Sequence, residues 1–528
     1  MNNAAAIIRS LIIYGLCLPL AIYLGYKLAL TPSWSRGDYA FVILVVALPL
    51  VPILLKWHHL FLVLSWNMSM VLFFVQGSPY LWMAMTALSL GLTVLQHILK
   101  RDVKFAAVSS VTWSLIFLAL VILITAKLTG GIGLAAFGGE AVGGKRYIQL
   151  LCAIAGYFAI TSHRIEPGKG GIYTALYFLG ALTMIVGSLA PWVPGGLRVI
   201  FALFPVESFA VMQGDDTPTE FTRLYGVTTA AVGLMCFILA RYGIGGILPF
   251  GERWRFLPLQ FQGGFGINQP WRIWVVLNIM VVALMGGYRS VPITLALLCI
   301  FLFFFEGLHR TRIFPVVLLL AVLACAIVIP FVDRMPFTIQ RSLSFLPIEV
   351  SPLARENADT SSEWRVKIWR EVIPTIPQYL LVGKGYAIDA KEQEMEANLA
   401  EFKQDTQGEG AMRASDYHNG PLSLIIPLGI FGTIGFLWFM AAAFRVLLNN
   451  YRHGDPLNHR VNTFLLAYFV TKALFFFVIY GSFQNDLAMF TGMVALSAAI
   501  NGGMCKPAPV TKTNPAYVPF RLPKPLRA

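Results

Sequence analysis

Long apolar segments follow one another along most of the chain, and the charged residues fall mainly in the short connections between them. A helix that crosses a membrane needs roughly 20 apolar residues, because the hydrocarbon layer is about 30 Å thick. The pattern therefore predicts an all-α polytopic membrane protein with about 12–14 transmembrane helices. The predicted spans are Ile7–Leu30, Tyr39–Leu55, Leu60–Val75, Tyr80–Leu99, Ala106–Ala126, Tyr147–Thr161, Ile172–Ala190, Leu224–Ala240, Ile273–Gly287, Val291–Gly307, Ile313–Val332, Pro421–Val446, Val461–Tyr480 and Leu487–Ile500.

Two longer polar stretches divide this series of spans. The large one is mixed in charge and has helix-like stretches at Ser362–Ile373 and Ala390–Gln404, so we interpret it as a small, partly helical cap. Gly243–Gly266 is interpreted as a re-entrant or interfacial piece. The predicted divisions are N-terminal helices (1–190), a first outer loop (191–223), central helices (224–332), a large outer loop (333–419), C-terminal helices (420–503) and a proline-rich basic tail (504–528).

Composition supports the membrane class and narrows the partners. Hydrophobic residues make up 57% of the chain and charged residues only 12%, which is too few to cover a water-facing globule. A formal charge of +14 would indicate nucleic-acid binding in a soluble domain, but here lysine and arginine lie in the connections and the tail. We therefore expect membrane lipid as a partner and no nucleic acid. The six cysteines have no metal-type spacing and are interpreted as small hydrophobes.

The basic residues also predict the orientation, because short cytoplasmic loops carry an excess of lysine and arginine. By this rule both termini are cytoplasmic and the two long loops are outside. Lys145 and Arg146 are an exception, since the rule would leave them outside. The basic residues on the predicted cytoplasmic side are Lys56, the cluster Lys100–Lys104, Arg164, Lys169, Arg241, Arg253, Arg255, Arg310, Arg312, Arg452 and Arg460.

Candidate chemistry collects on the outer face. His418 ends the large loop just before an apolar run, and an imidazole there could take a proton from a substrate at the boundary between water and lipid. The alternative is a solvated loop histidine. Arg289 lies at a junction of two spans, where it would face a polar cavity or an anion, or else extend to the interface. Arg365 and Arg370 would come near one face of a helix, which could equally be a solvated amphipathic helix.

Two further charged residues are candidates for substrate binding. Lys472 lies inside a predicted span and is costly there unless it is paired or faces a cavity. Asp486, at the next outer turn, is a possible partner for it or a contact for the acceptor. No metal or other cofactor is expected, because Asp215–Asp216 is the one paired-carboxylate candidate and is better explained as a solvated loop.

Four short motifs resemble the O-antigen ligase and polymerase family. They are Gly-Tyr-Arg-Ser at Gly287–Ser290, the segment Glu363–Trp369, Gly-Lys-Gly at Gly383–Gly385, and His-Asn before Leu428–Gly432, all within about Trp271–Ile500. Their order, spacing and shared outer placement carry the resemblance. One departure is Pro427, because members often have a glutamate before the Leu-Gly pair. The resemblance leaves the role of that carboxylate open here.

This resemblance implies a metal-independent glycosyltransferase on the periplasmic face of the bacterial inner membrane. Its donor would be a glycan linked to undecaprenyl diphosphate, and its acceptor would be lipid A–core or another glycan. By motif, His418 would be the general base, and Arg289 and Arg365 would contact the diphosphate. The residues do not separate a ligase from a chain polymerase, an exopolysaccharide polymerase or a protein O-glycosylase. A lipid-linked glycan flippase and a polymerase of the shape and division family remain alternatives.

Overall fold

Helices make up most of the regular structure. The computed structural model describes residues 14–15, 18–30, 37–38, 51–75, 77–99, 105–130, 144–206, 208–211, 221–247, 271–311, 313–386 and 417–507. The α-helices are α1 (Leu18–Leu30), α2 (Val51–Ser65), α3 (Leu81–Leu99), α4 (Ser109–Thr129), α5 (Gly144–Thr161), α6 (Gly170–Leu179), α7 (Met184–Ser188), α8 (Tyr225–Ile247), α9 (Trp271–Leu284), α10 (Ser290–Phe305), α11 (Ile313–Val328), α12 (Phe337–Leu343), α13 (Pro352–Val372), α14 (Ile376–Tyr379), α15 (Gly420–His453), α16 (His459–Leu474) and α17 (Phe483–Asn501).

Shorter elements connect these helices. The 3₁₀ helices are Gly180–Thr183, Ala190–Trp192, Gly195–Ala202, Leu308–Arg310, Ile329–Arg334, Ile373–Thr375 and Pro456–Asn458. A π-helix at Phe475–Ile479 extends α16. In and next to the segment predicted to be the first outer loop, strands β1 (Ser208–Val211) and β2 (Phe221–Leu224) pair antiparallel, with Ser208 opposite Leu224. The sequence analysis did not predict this hairpin.

The described residues contain seven helices long and apolar enough to cross a membrane, among them Ser109–Thr129 and Gly420–His453. Three shorter apolar helices are also present in these ranges: Pro52–Ser65, Trp271–Leu284 and Ser290–Phe305. The prediction of an all-α polytopic membrane protein is confirmed. Much of the predicted span Tyr39–Leu55 and all of Ala390–Gln404 and Asp215–Asp216 lie outside the described residues.

Small residues allow the helices to approach closely. A Cβ at Gly156 of α5 would lie 2.1 Å from the Trp66 ring, and one at Gly492 of α17 would lie 2.3 Å from the same indole. The Trp66 nitrogen Nε1 donates to the carbonyl oxygen of Ala488 at 3.0 Å. Large side chains then fill the remaining space, with Phe436 of α15 fully buried. Close packing of this kind is how helices associate within a membrane.

The bundle has two distinct ends. At one end, which we call the His418 end, α15 begins, and the side chain of Gln484 on α17 donates to Gln149 on α5 at 2.7 Å. At the opposite end, the nitrogen of Ile165 donates to the oxygen of Ala499 at 2.9 Å. Basic residues of the predicted cytoplasmic set that lie at the opposite end are Arg164, Lys169, Arg241, Arg452 and Arg460.

One boundary prediction is wrong. Leu60–Val75 does not form a span, because α2, which has a kink at Trp57, ends at Ser65 and the chain then turns, with Val71 forming a bridge to Tyr80. His58 and His59 follow this kink, and both imidazoles are buried. His58 Nδ1 lies 2.9 Å from Ser89 Oγ, and His59 Nε2 lies 2.7 Å from the oxygen of Ile160. These hydrogen bonds allow polar rings in an apolar bundle.

The segment predicted to be the large outer loop contains α12, α13 and α14 in its described part. Helix α13 begins at Pro352, earlier than the predicted stretch from Ser362. The start follows from local sequence, because the Ser351 hydroxyl accepts from the nitrogen of Ala354 at 3.3 Å and proline occupies the first helical turn. Helix α13 then packs against the start of α15, which positions the candidate site.

Candidate active site

His418 lies between two aromatic rings at the start of α15. Its ring centroid is 5.2 Å from that of Trp364 on α13 and 5.2 Å from that of Tyr480, which follows the π-helix. The residue is half-buried, and its Nδ1 atom has almost no exposed surface. Packing on two sides restricts the ring to few positions, as a catalytic group requires.

The backbone of His418 is strained. Its φ angle is +49°, in the left-handed region, which costs a non-glycine residue about 1–2 kcal/mol. Neighbouring contacts hold this conformation from both sides. Trp369 Nε1 donates to the oxygen of Tyr417 at 2.8 Å, and Asn419 Oδ1 accepts from the nitrogen of Leu422 at 3.1 Å as the N-cap of α15. Strain held in this way is frequent at functional sites.

A buried apolar cluster fixes α13 against α15. Full burial of a large apolar side chain contributes roughly 1.5–3 kcal/mol, so several such residues together hold the helix firmly. One face of α13 is therefore part of the core, and the helix is not simply a solvated cap. The cluster consists of Trp364, Ile368, Val372, Tyr417, Leu422 and Ile426.

The same helix receives Arg289. This arginine is the N-cap residue of α10, and its Nη2 donates to the Ser362 hydroxyl of α13 at 2.9 Å. Arg365 follows Ser362 by three residues and is half-buried. Residues three apart on a helix are neighbours on its surface. The structure thus places Arg289 beside the face of α13 that carries Arg365. Arg365 directly follows Trp364, the residue whose ring contacts His418.

Arg370 has a different environment from Arg365. It is exposed in the last turn of α13. A separation of five residues turns a helix well past one full turn, so the two arginines do not share one face. The expectation that Arg370 also binds substrate remains a prediction, and the half-buried Arg365 is the better placed of the two.

Arg341 is a residue of this region that the sequence analysis missed. It is buried on α12, its Nη1 donates to the carbonyl oxygen of Gly287, and its Nε donates to Asn357 Oδ1 of α13 at 2.6 Å. Gly287 has a φ angle of +70° and lies two residues before Arg289. Arg341 therefore ties the turn that presents Arg289 to the helix that carries Arg365. An isolated arginine in a mixed segment gave no motif by which to recognise it.

Pro427 takes a backbone role in the structure. Helix α15 is interrupted here, with Gly429 at a φ angle of +64°. Proline has no N–H to satisfy and readily interrupts a helix. Backbone groups freed by such a break must find other partners inside a membrane protein. Pro427, which departs from the motif that the resemblance implies, forms part of this break.

The Gly-Lys-Gly turn supplies those partners. The nitrogen of Lys384 donates to the oxygen of Ile426 at 2.8 Å, and the nitrogen of Gly385 donates to the oxygen of Pro427 at 2.9 Å. Gly383 has a φ angle of +81°, and a Cβ there would lie 2.3 Å from the oxygen of Pro427. Glycine is therefore required for the close approach. The Gly-Lys-Gly segment therefore closes the break in α15.

Lys472 and Asp486 lie close enough to interact electrostatically, and each also makes contacts of its own. The Lys472 ammonium lies 5.7 Å from the centroid of the Tyr468 ring and 5.9 Å from that of Phe475. Asp486 Oδ2 accepts from the nitrogen of Ser482 at 2.8 Å, at the start of α17. The carboxylate therefore contributes to the N-terminal cap of α17. A role for either residue in binding substrate remains a prediction.

No group of three or more histidine, cysteine, aspartate and glutamate side chains in the described residues could hold a metal ion. The arrangement found around α13 is instead a half-buried imidazole with two guanidinium groups on neighbouring positions. An imidazole can accept a proton, and a guanidinium group can donate two parallel hydrogen bonds to two oxygens of a phosphate. The site can therefore support transfer from a phosphate leaving group to a hydroxyl.

Comparison with known proteins agrees with the motifs. Residues 274–437 match the family model described as O-Antigen ligase. This range includes Arg289, Arg365 and His418, and it confirms the resemblance for about a third of the chain. No curated protein matches the chain. Together with its apolar helices, the match supports a multi-pass membrane glycosyltransferase of the O-antigen ligase and polymerase type.

Proposed function

We propose that the chain transfers a glycan from undecaprenyl diphosphate to an acceptor hydroxyl on the periplasmic face of the bacterial inner membrane. The observation that carries the proposal is the shared use of α13: Trp364 packs on His418, while Ser362 binds Arg289 beside Arg365. The proposed base and the two proposed cations thus all contact or belong to α13, and all lie within the matched range. The orientation is supported by the basic residues at the opposite end of the bundle.

His418 acts as the general base in this proposal. It removes the proton from the acceptor hydroxyl as the acceptor oxygen bonds to the anomeric carbon of the glycan. The bond between that carbon and the phosphate oxygen breaks, and its electron pair leaves with undecaprenyl diphosphate. The imidazole carries the proton until it is released to water. A diphosphate needs no general acid, so one base is sufficient.

Arg289 and Arg365 bind the diphosphate and stabilise the negative charge that develops on it. Arg289 is oriented by the neutral Ser362 hydroxyl, and the turn before it is held by the guanidinium of Arg341 through the carbonyl oxygen of Gly287. A hydroxyl fixes a guanidinium without cancelling its charge. This charge does the work that a divalent cation would otherwise do, so turnover should persist in chelator.

The acceptor is lipid A–core in the favoured version of this proposal, which makes the chain an O-antigen ligase. A chain polymerase, including one for exopolysaccharide, would use the same base and cations with a second glycan as acceptor. The alternative of a lipid-linked glycan flippase is less well supported, because a strained backbone at a half-buried histidine is costly and unnecessary for transport.

The decisive experiment identifies the product. Purified protein in nanodiscs is incubated with glycan-bearing undecaprenyl diphosphate, with and without lipid A–core, and products are analysed by mass spectrometry. Glycan on lipid A–core with release of undecaprenyl diphosphate would support ligation. A longer lipid-linked glycan without lipid A–core would indicate a polymerase. Translocation in sealed vesicles with neither product would reject the transferase.

A further inference from the structure

Helix α5 begins with the basic residues that the orientation rule could not explain. Arg146 lies at the His418 end, next to Tyr147, whose hydroxyl accepts from the backbone nitrogen of Tyr386 at 2.9 Å. The rings of Tyr147 and Tyr386 are 5.2 Å apart and nearly perpendicular, at 79°. The start of α5 is therefore joined to the residue that follows the Gly-Lys-Gly turn. A positive charge kept at this end against the general rule suggests a specific use.

Tyr386 has a hydroxyl that the fold does not use. The residue is 2% exposed, and within the described part of the chain its hydroxyl has no hydrogen-bond partner. A buried hydroxyl left unsatisfied costs about 1–3 kcal/mol, so such groups are rare without a reason. The ring already packs on Tyr147, and the backbone nitrogen is already satisfied. A ligand that accepts a hydrogen bond would complete the site.

Tyr386 and Arg146 would act on the same ligand. The Arg146 guanidinium is close enough to Tyr386 to influence it electrostatically, and so is Tyr417, which immediately precedes His418. Burial raises the pKa of the Tyr386 hydroxyl above its usual value, and Arg146 only partly offsets this, so the hydroxyl stays protonated. A protonated hydroxyl and a guanidinium are both donors. Their common ligand must be an acceptor of hydrogen bonds, and the positive charge selects an anion.

We propose that Arg146 and Tyr386 bind an anionic group, phosphate or carboxylate, of the acceptor substrate. This inference rests on the proposed transferase function. The donor diphosphate is assigned to arginines presented by α10 and α13, whereas Arg146 and Tyr386 come from α5 and the Gly-Lys-Gly segment. Tyr386 is also close enough to Tyr417 to interact with it electrostatically, and Tyr417 precedes the base that receives the acceptor proton. The second cationic site therefore orients the acceptor hydroxyl towards His418.

The first test uses Arg146→Gln with Lys145→Gln as a matched control, since the control removes the same charge one residue away. With donor saturating, Arg146→Gln should raise the KM for lipid A–core by roughly 10-fold or more, the range expected for a charged hydrogen bond. Lys145→Gln should leave this KM unchanged. Equal effects of the two variants, or an increase confined to the donor KM, would overturn the proposal.

Tyr386→Phe removes one oxygen and keeps the ring and the backbone hydrogen bond. A purely structural tyrosine with an unsatisfied hydroxyl predicts an unchanged or higher melting temperature and unchanged kinetics. The proposal predicts that same thermal behaviour together with a KM for lipid A–core raised several-fold. Unchanged KM in this variant would remove Tyr386 from the site.

The chemistry of the anion is resolved by modifying the acceptor. Lipid A–core treated with phosphatase, or with its carboxyl groups reduced, is compared with the intact form. The treatment that removes the bound group should lower the affinity of the wild type for lipid A–core. The wild type and Arg146→Gln should then bind that preparation equally well. If the wild type still bound both treated preparations more tightly than Arg146→Gln does, the anion site would be contradicted.

Direct binding separates this inference from the proposed function. Purified lipid A–core is titrated against protein in nanodiscs without donor, so turnover is not needed. Binding weakened by Arg146→Gln in a protein that transfers no glycan would reject the transferase but keep the anion site. Glycan transfer by the protein, together with unaltered binding of lipid A–core by Arg146→Gln, would support the transferase function and reject the anion site.

Discussion

The two ends of the bundle use charged and strained groups in different ways. At the opposite end, α8 is interrupted at Gly243, and Glu306 closes the interruption by accepting from the nitrogens of Ile244 at 2.8 Å and Gly245 at 2.9 Å. At the His418 end, the interruption of α15 is closed by the backbone of the Gly-Lys-Gly turn. At the opposite end, a charged side chain forms hydrogen bonds with the backbone at the interruption. At the His418 end, the hydrogen bonds at the interruption join backbone to backbone.

The same contrast holds for cations. Arg272 at the opposite end donates to the oxygen of Gly246 at 3.1 Å and lies 3.9 Å from the centroid of the Tyr242 ring, so it serves the local fold. Arg289 at the His418 end is oriented by a serine hydroxyl on another helix. The difference shows that the location of an arginine near a helix end does not by itself indicate a functional role. What distinguishes the His418 end is that several elements converge to orient groups beside a half-buried base.

The largest effect should come from removing that base. His418→Ala is expected to lower kcat by at least about 100-fold, the lower part of the range for general-base catalysis, because no group then accepts the acceptor proton. His453→Ala, an exposed histidine at the opposite end, is the control and should retain full turnover. The measurement is steady-state transfer at saturating donor. Retention of more than about a tenth of wild-type turnover by His418→Ala would exclude the base assignment.

The arginines should give the next largest effect. Arg289→Ala or Arg365→Ala should weaken binding of undecaprenyl diphosphate by roughly 10–150-fold, because a charged hydrogen bond contributes about 1.5–3 kcal/mol. Lysine should restore binding only partly, since it lacks the planar fork of the guanidinium. Arg452→Ala, an exposed arginine at the opposite end, serves as the control. Equal affinities in all of these proteins would remove the arginines from the donor site.

The two helix interruptions should differ in tolerance to a methyl group. In Gly383→Ala the Cβ would meet the backbone oxygen of Pro427 at 2.3 Å, whereas in Gly243→Ala it would meet the side-chain oxygen of Glu306 at 2.3 Å. Both positions have positive φ angles, which cost about 1–2 kcal/mol for alanine. A side chain can move away and a paired backbone cannot, so Gly383→Ala should lower the melting temperature more. A larger loss for Gly243→Ala would contradict the backbone closure.

The smallest effect concerns pH at the opposite end. Burial lowers the pKa of His163, whose ring lies 5.3 Å from those of His58 and His59. The unfolded chain then binds a proton that the folded chain does not, so stability should fall as pH drops below about 6.5. His163→Gln should show a shallower decline in melting temperature between neutral and acidic pH. An identical pH profile in the variant would show that His163 does not contribute.

The sequence predicted those features that depend on local pattern. Apolar length gave the membrane class, and the order of four motifs gave the family resemblance confirmed over 274–437. It could not predict that His58 and His59 are buried, because the polar rings are satisfied by residues far along the chain, Ser89 and Ile160. Arg341 was missed for the same reason. Its role depends on a carbonyl at Gly287 that becomes its neighbour only in the folded chain.

The hydrogen bonds between α5 and the later segments have a consequence for biosynthesis. The bond from Tyr386 to Tyr147 joins positions 239 residues apart, and that from Gln484 to Gln149 joins positions 335 residues apart. During synthesis the early helices enter the membrane long before their partners exist, because chains grow at about 5–20 residues per second. Helix α5 must therefore wait tens of seconds for the C-terminal helices. A ribosome that stops before α17 would leave a nascent protein inserted in the bilayer but unable to assemble this end of the bundle.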